Sequence, residues 1–355
     1  MRIVFVGNFG SKGKYGVMHA IEWKLYNGLV RNGHSVTIFS DREVARNSNI
    51  FKSAKLGKQK TSDQLIELCR QVAPNALIIG HADNILRYAI EQIKADFPAL
   101  KTLQWNVDPI NTELNLNRIK YRQDLMDITL ITTAGKHLED LHMSGKITGF
   151  FPNPADASIE NLKQFEVPAH KAINDVCYFT SNMKVKRNLN GIEHNLTEIY
   201  QKLHHQDLRV KFYAKNKTKV ADTNIAPPVF GGKYQAELAK ATMGLNISRI
   251  NDHKHYSSDR MAQIMANGLL CATPTSSEFA DFFDDSMMVY FSSLAELSDK
   301  FSYYAKHDNL RQQIAQQGYE QYYKLFDHKI VAKYFIDLLE EKTTNLAVVW
   351  EKPHI

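Results

Sequence analysis

The chain has 355 residues, 44% hydrophobic and 23% charged, with 44 Lys and Arg against 38 Asp and Glu. That profile excludes a disordered or fibrous chain and leaves room for two globular domains of ordinary size. No apolar run approaches the roughly 20 residues that span a bilayer, and the opening RIVFVG is too short and wrongly flanked for a signal peptide, so a cytoplasmic location is expected.

The charge is uneven. Residues 1–150 hold 20 Lys and Arg against 14 Asp and Glu, leaving 24 against 24 for the remainder, so the whole excess of +6 lies in the first part. It includes Arg42, Arg46, Lys52, Lys55, Lys58 and Lys60, in a stretch with little apolar periodicity. This stretch reads either as a solvated loop or as a contact surface for an anionic acceptor or membrane. Nucleic-acid binding would rest on this excess alone and is not expected. Cys69, Cys177 and Cys271 lack CxxC spacing and read as reduced core residues. His204-His205 and His253-x-His255 have no matching third ligand, so no metal site is expected.

In chain order, Arg2–Gly7 reads as a buried strand, followed by a glycine-punctuated loop from Gly7 through Gly10 to Gly16. A helix to about Asn32, stopped at Gly33, and a strand Ser35–Phe39 complete the opening of a βαβ unit. Glycines let a backbone approach a phosphate or sugar, but their every-third-residue spacing here is not the dinucleotide fingerprint. Asp41 lies where an adenosine-ribose acid would sit, which keeps an NAD-dependent oxidoreductase as a rival reading.

A helix Ser62–Val72 leads to the strand Ala76–Gly80, which ends on His81-Ala82-Asp83-Asn84. After a helix to Asp96, the strand Lys101–Trp105 runs out into Asn106-Val107-Asp108-Pro109. Polar residues at carboxyl ends of strands are where open α/β sheets place ligands. His81 and Asp108 are therefore candidates for a catalytic base, although Asp before Pro often only initiates a turn. A helix 113–126, a strand Ile128–Thr132, a helix Gly135–Ser144 and a strand Thr148–Phe151 follow. The proline-bearing stretch 152–172 then reads as an interdomain linker.

The second set begins with a strand Asp175–Thr180 that runs into Lys184, Lys186 and Arg187, then a helix to about His204. A guanidinium there can take phosphate oxygens bidentately; the plain alternative is a basic helix start at the surface. A strand Leu208–Tyr213, a connector Pro227–Gly232 and a helix Tyr234–Ala241 lead to Asn246–Phe279, on which the chain turns. Its polar loop carries Arg249, His253, Lys254 and His255. Ser257, Ser258 or Asp259 can cap a helix with Met261, Ile264 and Met265 on its apolar face, stopped by Gly268. A buried strand LLCAT ended by Pro274 follows, with a helix cap at Ser276 or Ser277. Arg260 in the first turn opposes the helix dipole, a conflict that an anionic ligand would offset. Beyond it come a strand Met288–Phe291, a Ser293–Glu296 capping box and helices to Glu341 whose Tyr and Phe residues read as core.

Arg260 followed by QIMANGLLCATPTSSEFADFF, with QWNVDP at 104–109 and FPNPAD at 151–156, resembles GT-B glycosyltransferases. The nearest resemblance is to the spore-maturation-protein-like branch related to the group 1, family 4 enzymes. The resemblance implies an α/β chain of two Rossmann-like domains facing across a cleft. These are an acceptor-side domain at 1–155 and a nucleotide-sugar-binding domain at 172–328, with 329–355 crossing back onto the first. It implies transfer of a sugar from a nucleotide-diphosphate sugar to a hydroxyl of a glycan or glycolipid acceptor, in bacterial surface polysaccharide or glycolipid synthesis at the inner face of the membrane. Arg187 and Arg260 would hold the diphosphate, assisted by Arg249 or Lys254, with Gly10 in a ligand-facing loop and no metal or other cofactor. Gln263 stands where the family carries a glutamate for the ribose hydroxyls. The departure raises a catalytically silent sugar-binding or scaffold protein as an alternative, beside a sugar-nucleotide epimerase.

Overall fold

A computed structural model describes residues 1–10, 20–54, 56–180, 185–215, 224–342 and 350–355. In chain order its elements begin with β1 (Arg2–Gly7), α1 (Ile21–Arg31), β2 (Ser35–Ser40), α2 (Asp41–Asn47), α3 (Lys58–Val72) and β3 (Ala76–Ile79). Then come α4 (Arg87–Asp96), β4 (Lys101–Asn106), α5 (Glu113–Gln123), β5 (Ile128–Ile131), α6 (Lys136–Glu139) and β6 (Ile147–Phe150). The next run is β7 (Asn174–Phe179), β8 (Arg187–Leu189), β9 (Ile192–His194), α7 (Leu196–His204), β10 (Val210–Tyr213), β11 (Ile225–Ala226) and α8 (Gly232–Leu238). The chain closes with β12 (Ala241–Leu245), α9 (Arg260–Met265), β13 (Leu270–Pro274), β14 (Val289–Phe291), α10 (Leu294–Lys306), α11 (Asp308–Phe326) and α12 (His328–Leu339). Contacts divide it into two compact units, Met1–Pro154 with His328–Ile355, and Ala155–Asp327.

In the first unit the strands pair in parallel in the order β2-β1-β3-β4-β5-β6. The inner strands ALII and ITLI are buried at every position, as a parallel sheet covered on both faces requires. Helix α1 buries Ile21, Leu25, Gly28 and Leu29 on one face. Gly28 is required by close approach: a Cβ there would lie 2.2 Å from the His328 carbonyl oxygen of α12. Helix α12 is buried nearly all round, and Phe335 meets Phe151 edge-on at 5.2 Å.

In the second unit six strands pair in parallel in the order β11-β10-β7-β12-β13-β14. Residues 155–172 do not form a solvated connector. Gln164 donates from its backbone to Asn267 O and from its side chain to Ala239 O and Ala241 O. Buried Arg311 of α11 donates to Val167 O at 2.7 Å. Buried polar groups need such partners, and here they tie the stretch to the second sheet.

Several local expectations are corrected. The helix expected straight after Arg187 is preceded by the antiparallel hairpin β8–β9, turned at Asn190 (φ 50°) and Gly191 (φ 83°). The expected helix 135–144 is only Lys136–Glu139. Pro274 closes β13 from inside it, and 3-10 turns Thr275–Ser277 and Phe279–Asp281 replace the expected helix. Ser293 does cap α10, but Glu296 reaches back to the Ser292 N–H at 2.8 Å instead of that of Ser293.

Candidate functional site

In an open parallel sheet, strands whose connections leave in opposite directions open a crevice at their carboxyl ends, and ligands bind there. In the second unit that point lies between β7 and β12, because β10 and β11 extend the sheet on one side and β13 and β14 on the other.

Arg260 occupies it. Gly244 of β12 lets α9 come down onto the strand, since a Cβ there would lie 2.6 Å from Ile264. Arg260 then reaches over the strand ends, donating from Nε to Phe179 O at 2.7 Å and from Nη1 to Ile247 O at 3.0 Å. Its guanidinium lies 4.7 Å from the centre of the Tyr178 ring, a cation–π distance. The Nη2 edge has no protein partner among the described residues. A half-buried arginine so held presents a fixed, unspent pair of donors.

Arg187 is placed differently. It is buried, and its donors turn inward: Nε to Tyr178 Oη (3.0 Å), Nη1 to Val185 O (2.8 Å) and Lys186 O (3.2 Å), Nη2 to Thr180 Oγ1 (2.8 Å). Four of its five N–H groups are therefore in use inside the protein. Arg187 is a strut that fixes the end of β7, with Tyr178 Oη in turn donating to Ile247 O at 2.8 Å. Lys184, the alternative, lies outside the described residues.

The loop after β12 is pinned by Asn251, whose side chain accepts from Ser248 N and donates to Asn188 O and Ser248 O. On it Arg249 is exposed with no protein partner among the described residues, and Lys254 pairs with Asp281 at 3.4 Å. His255 sits at φ 55° with its Nε2 3.0 Å from Asp281 Oδ2. Burial against Phe279 and Phe282 pushes its pKa down to about 4 despite the carboxylate.

Gln263 donates from Nε2 to Asp259 Oδ2 at 2.7 Å, one turn back on α9. The amide is thus suited to its neighbour, where a glutamate would bring two carboxylates together. Asp259 takes the N-cap position without a side-chain capping bond. Sequence reasoning missed Tyr178, the platform of the cluster. Its only signal was an aromatic in a strand end opposite a later arginine.

In the first unit the reversal lies between β1 and β3, where Gly10 and His81 follow the strand ends. His81 Nδ1 is 3.6 Å from Asp108 Oδ2, and its Nε2 receives the Val107 N–H at 3.5 Å. These are loose contacts. Burial holds the His81 pKa below its ordinary value, with Asp108 and Asp83 opposing the shift. Arg118 lies 3.5 Å from Asp108 and 3.6 Å from Asp83, which pairs with Arg42 at 3.8 Å. Below them the buried Arg122 donates to Gly80 O and Ala82 O on either side of His81 and to Gln104 Oε1. Burial draws its pKa down to about 10, so it stays charged at neutral pH. A cavity of about 300 Å³ adjoins, lined by Lys58, Asp83, Leu114, Arg118, Tyr121 and Arg122 among others.

One expectation fails here. Asp41 is fully buried at the start of α2, where it accepts from Asn84 N (3.2 Å) and Nδ2 (2.9 Å), and burial raises its pKa to about 6. It is enclosed within the protein and does not stand as an acid for a ribose. At Gly10 a Cβ would meet nothing nearer than 3.4 Å, so close packing does not demand glycine there. The remainder of that loop, 11–19, lies outside the described residues. Among the described residues no group of three or more His, Cys, Asp or Glu could hold a metal ion, and no helix is long and apolar enough to cross a membrane.

The model of a family described as glycosyl transferase-like matches residues 194–337, from the end of β9 into α12. No curated protein matches the chain in sequence. Its fold is similar to that of HepE from Anabaena, solved with UDP and glucose (TM-score 0.60, 9% identity, covering 96% of this chain and 100% of that one). It is also similar to AviGT4, a glycosyltransferase of avilamycin A biosynthesis (TM-score 0.58, 11%, 96% and 97%). A UDP-forming α,α-trehalose-phosphate synthase from Burkholderia vietnamiensis is alike too (TM-score 0.57, 11%, 96% and 100%). Identities this low establish the fold, which is GT-B: α/β, with two parallel six-stranded sheets.

Proposed function

We propose that the protein transfers a sugar from a nucleotide-diphosphate sugar to an acceptor hydroxyl, with the donor diphosphate on Arg260. The observation that carries this reading is the Arg260 guanidinium, locked over the ends of β7 and β12 with one edge unspent. Stabilising the departing diphosphate is the main electrostatic demand of such a transfer, and a preorganised cation meets it without reorganisation. Arg249 assists from its exposed loop, and Gln263 Oε1 remains as an acceptor toward a ribose hydroxyl. Lys254 is partly committed to Asp281. His81, kept neutral by burial and backed by Asp108, is the group we assign to the acceptor proton. The reading requires no metal, so turnover should withstand a chelator. A glycan or glycolipid acceptor of bacterial surface polysaccharide synthesis, reached at the inner membrane face, fits the basic first unit.

UDP is the first nucleotide to test, because HepE was solved with UDP and glucose and with UDP-glucose. Charge-assisted hydrogen bonds contribute roughly 1.5–3 kcal/mol. In titration calorimetry Arg260→Ala should therefore weaken nucleoside-diphosphate binding about 10- to 150-fold. Equal affinity in wild type and variant would remove Arg260 from the donor site. Binding of NADH in place of every nucleoside diphosphate would overturn the reading as a whole.

A further inference from the structure

The loop 48–57 between α2 and α3 exposes what a folded chain normally hides. Ile50 is 96% exposed, Phe51 82% and Leu56 66%. Scattered apolar residues at a surface need no explanation, but adjacent large ones at a loop tip do.

The loop is also built to hold them there. Asn49 donates from Nδ2 to Ala45 O (2.6 Å) and Ser53 O (2.7 Å) and accepts from Ser53 N (3.0 Å), which closes the base of the tip. Lys52 takes φ 49° with its N–H on Asn49 O. At the far end Gly57 lies against Ala45 so closely that a Cβ would stand 2.3 Å from its carbonyl oxygen. The apolar pair is therefore presented outward by a braced turn.

The surrounding charge is predominantly positive. Residues 42–60 contain six Lys and Arg and a single acid, Glu43. Arg46, Lys52 and Lys60 have no carboxylate partner among the described residues. Lys58, which opens α3, lines the cavity beside Asp83 and Arg118, and the rim of that cavity exposes Leu114 (64%) and Tyr121 (44%).

We propose that the loop 48–57 docks the first unit onto an anionic lipid bilayer, with Ile50 and Phe51 entering the headgroup–acyl boundary and Arg46, Lys52 and Lys60 meeting the phosphates. This deepens the membrane part of the proposed function and rests on that reading only for the acceptor. Two apolar side chains with basic neighbours match the chemistry of interfacial anchors, in which apolar burial and attraction to anionic lipid add. A protein groove would not call for three unpaired cations around the apolar tip, whereas each Lys or Arg near an anionic leaflet gains about fivefold in binding. Docking here would leave the Lys58 cavity beside the lipid surface, where a lipid-linked acceptor is presented.

The test is flotation of the full chain with vesicles of phosphatidylcholine alone and of phosphatidylcholine with 30 mol% phosphatidylglycerol, the latter fraction chosen as roughly that of an anionic leaflet. Wild type should float with the anionic vesicles and release in high salt. Ile50→Ser/Phe51→Ser should bind more than about tenfold more weakly, and Lys52→Glu/Lys60→Glu should lose at least as much. Both variants should keep the melting temperature and UDP affinity of wild type, since these side chains are exposed. Absence of wild-type flotation, or variants that float equally, would overturn docking. So would a concentration-dependent dimer lost in Ile50→Ser/Phe51→Ser, which would assign the tip to a second copy. UDP binding measured in the same samples separates either failure from a failure of the transferase reading.

Discussion

The two units carry parallel six-stranded sheets that differ in order and, more tellingly, in what stands at their strand ends. Numbered within each unit, the first runs 2-1-3-4-5-6 and the second 3-2-1-4-5-6, β8 and β9 lying outside that sheet. Each braces the critical strand end with a buried arginine, Arg122 under His81 and Arg187 under Tyr178. Above the brace the chemistry diverges. The first unit holds a neutral histidine beside carboxylates, suited to moving a proton. The second holds a cation over an aromatic ring, suited to a diphosphate. A shared scaffold thus says little about the role of either half; a few side chains at the crevice decide it.

If the braces are structural, their removal should give the largest effects. Arg187→Ala leaves Tyr178 Oη, Thr180 Oγ1 and two carbonyls short of a donor, and Arg122→Ala does the same to Gly80 O, Ala82 O and Gln104. An unpaired buried polar group costs about 1–3 kcal/mol, and partial relaxation should hold each total near about 3–4 kcal/mol. In a unit of this size that lowers the melting temperature by roughly 6–16 °C. Each variant should shift a different calorimetric transition. A diphosphate-gripping Arg187 would behave oppositely, with lost nucleotide affinity and an unmoved transition.

The titrating groups sharpen the contrast, because one buried group in each unit responds to acid with opposite sign. His255 has a folded pKa of about 4 against an ordinary 6.5. Between these values the unfolded chain binds the proton and the folded one does not, so the second unit loses stability as pH falls from 6.5 toward 4. Asp41 has a folded pKa of about 6 against an ordinary 3.8. Between those values the folded chain keeps the proton, so the contribution of Asp41 to the first unit grows as pH falls from 6 toward 4, against the loss from His81, whose pKa burial lowers. Each contribution is roughly 3 kcal/mol at most, at about 1.4 kcal/mol per pKa unit. Calorimetry between pH 4 and 7 on single variants should separate the two contributions. His255→Gln should make the second transition fall less with acid, and Asp41→Asn should make the first fall more. Drifts unchanged by both substitutions would remove these two residues from the account.

The fold was largely legible because parallel strands announce themselves as short, wholly apolar runs, and the order of those runs implied a doubly wound sheet twice. What escaped was short or unpatterned. The hairpin β8–β9 has three-residue strands, and β11 has two residues, too few for any period to show. At the candidate site, residue type pointed to arginines but not to their orientation. Arg187 and Arg260 look alike in sequence, and only the positions of Tyr178 Oη, Thr180 and the carbonyls of Phe179 and Ile247 reveal which one is consumed within the protein. Asp41 shows the same limit: its place after β2 was readable, its burial against Asn84 was not.

The smallest effect bears on whether the second unit is a working site or a decayed one. Gln263 takes the position at which the sequence resemblance implies a glutamate, and a decayed site should regain activity in Gln263→Glu. The geometry argues for another outcome. Its amide donates to Asp259 at 2.7 Å, and a carboxylate in its place would turn that bond into a like-charge pair one helical turn apart. Such pairs cost a few tenths of a kcal/mol at exposed positions, so the melting temperature should fall by about 1 °C and donor turnover should not rise. Asp259→Asn/Gln263→Glu restores a donor–acceptor pair with the partners exchanged, and should recover the wild-type transition. A large gain in donor hydrolysis from Gln263→Glu alone would mean that the glutamine is a lesion. No gain, with recovery in the double variant, would mean that Asp259 and Gln263 act as one unit in which the acid has moved by a turn of α9.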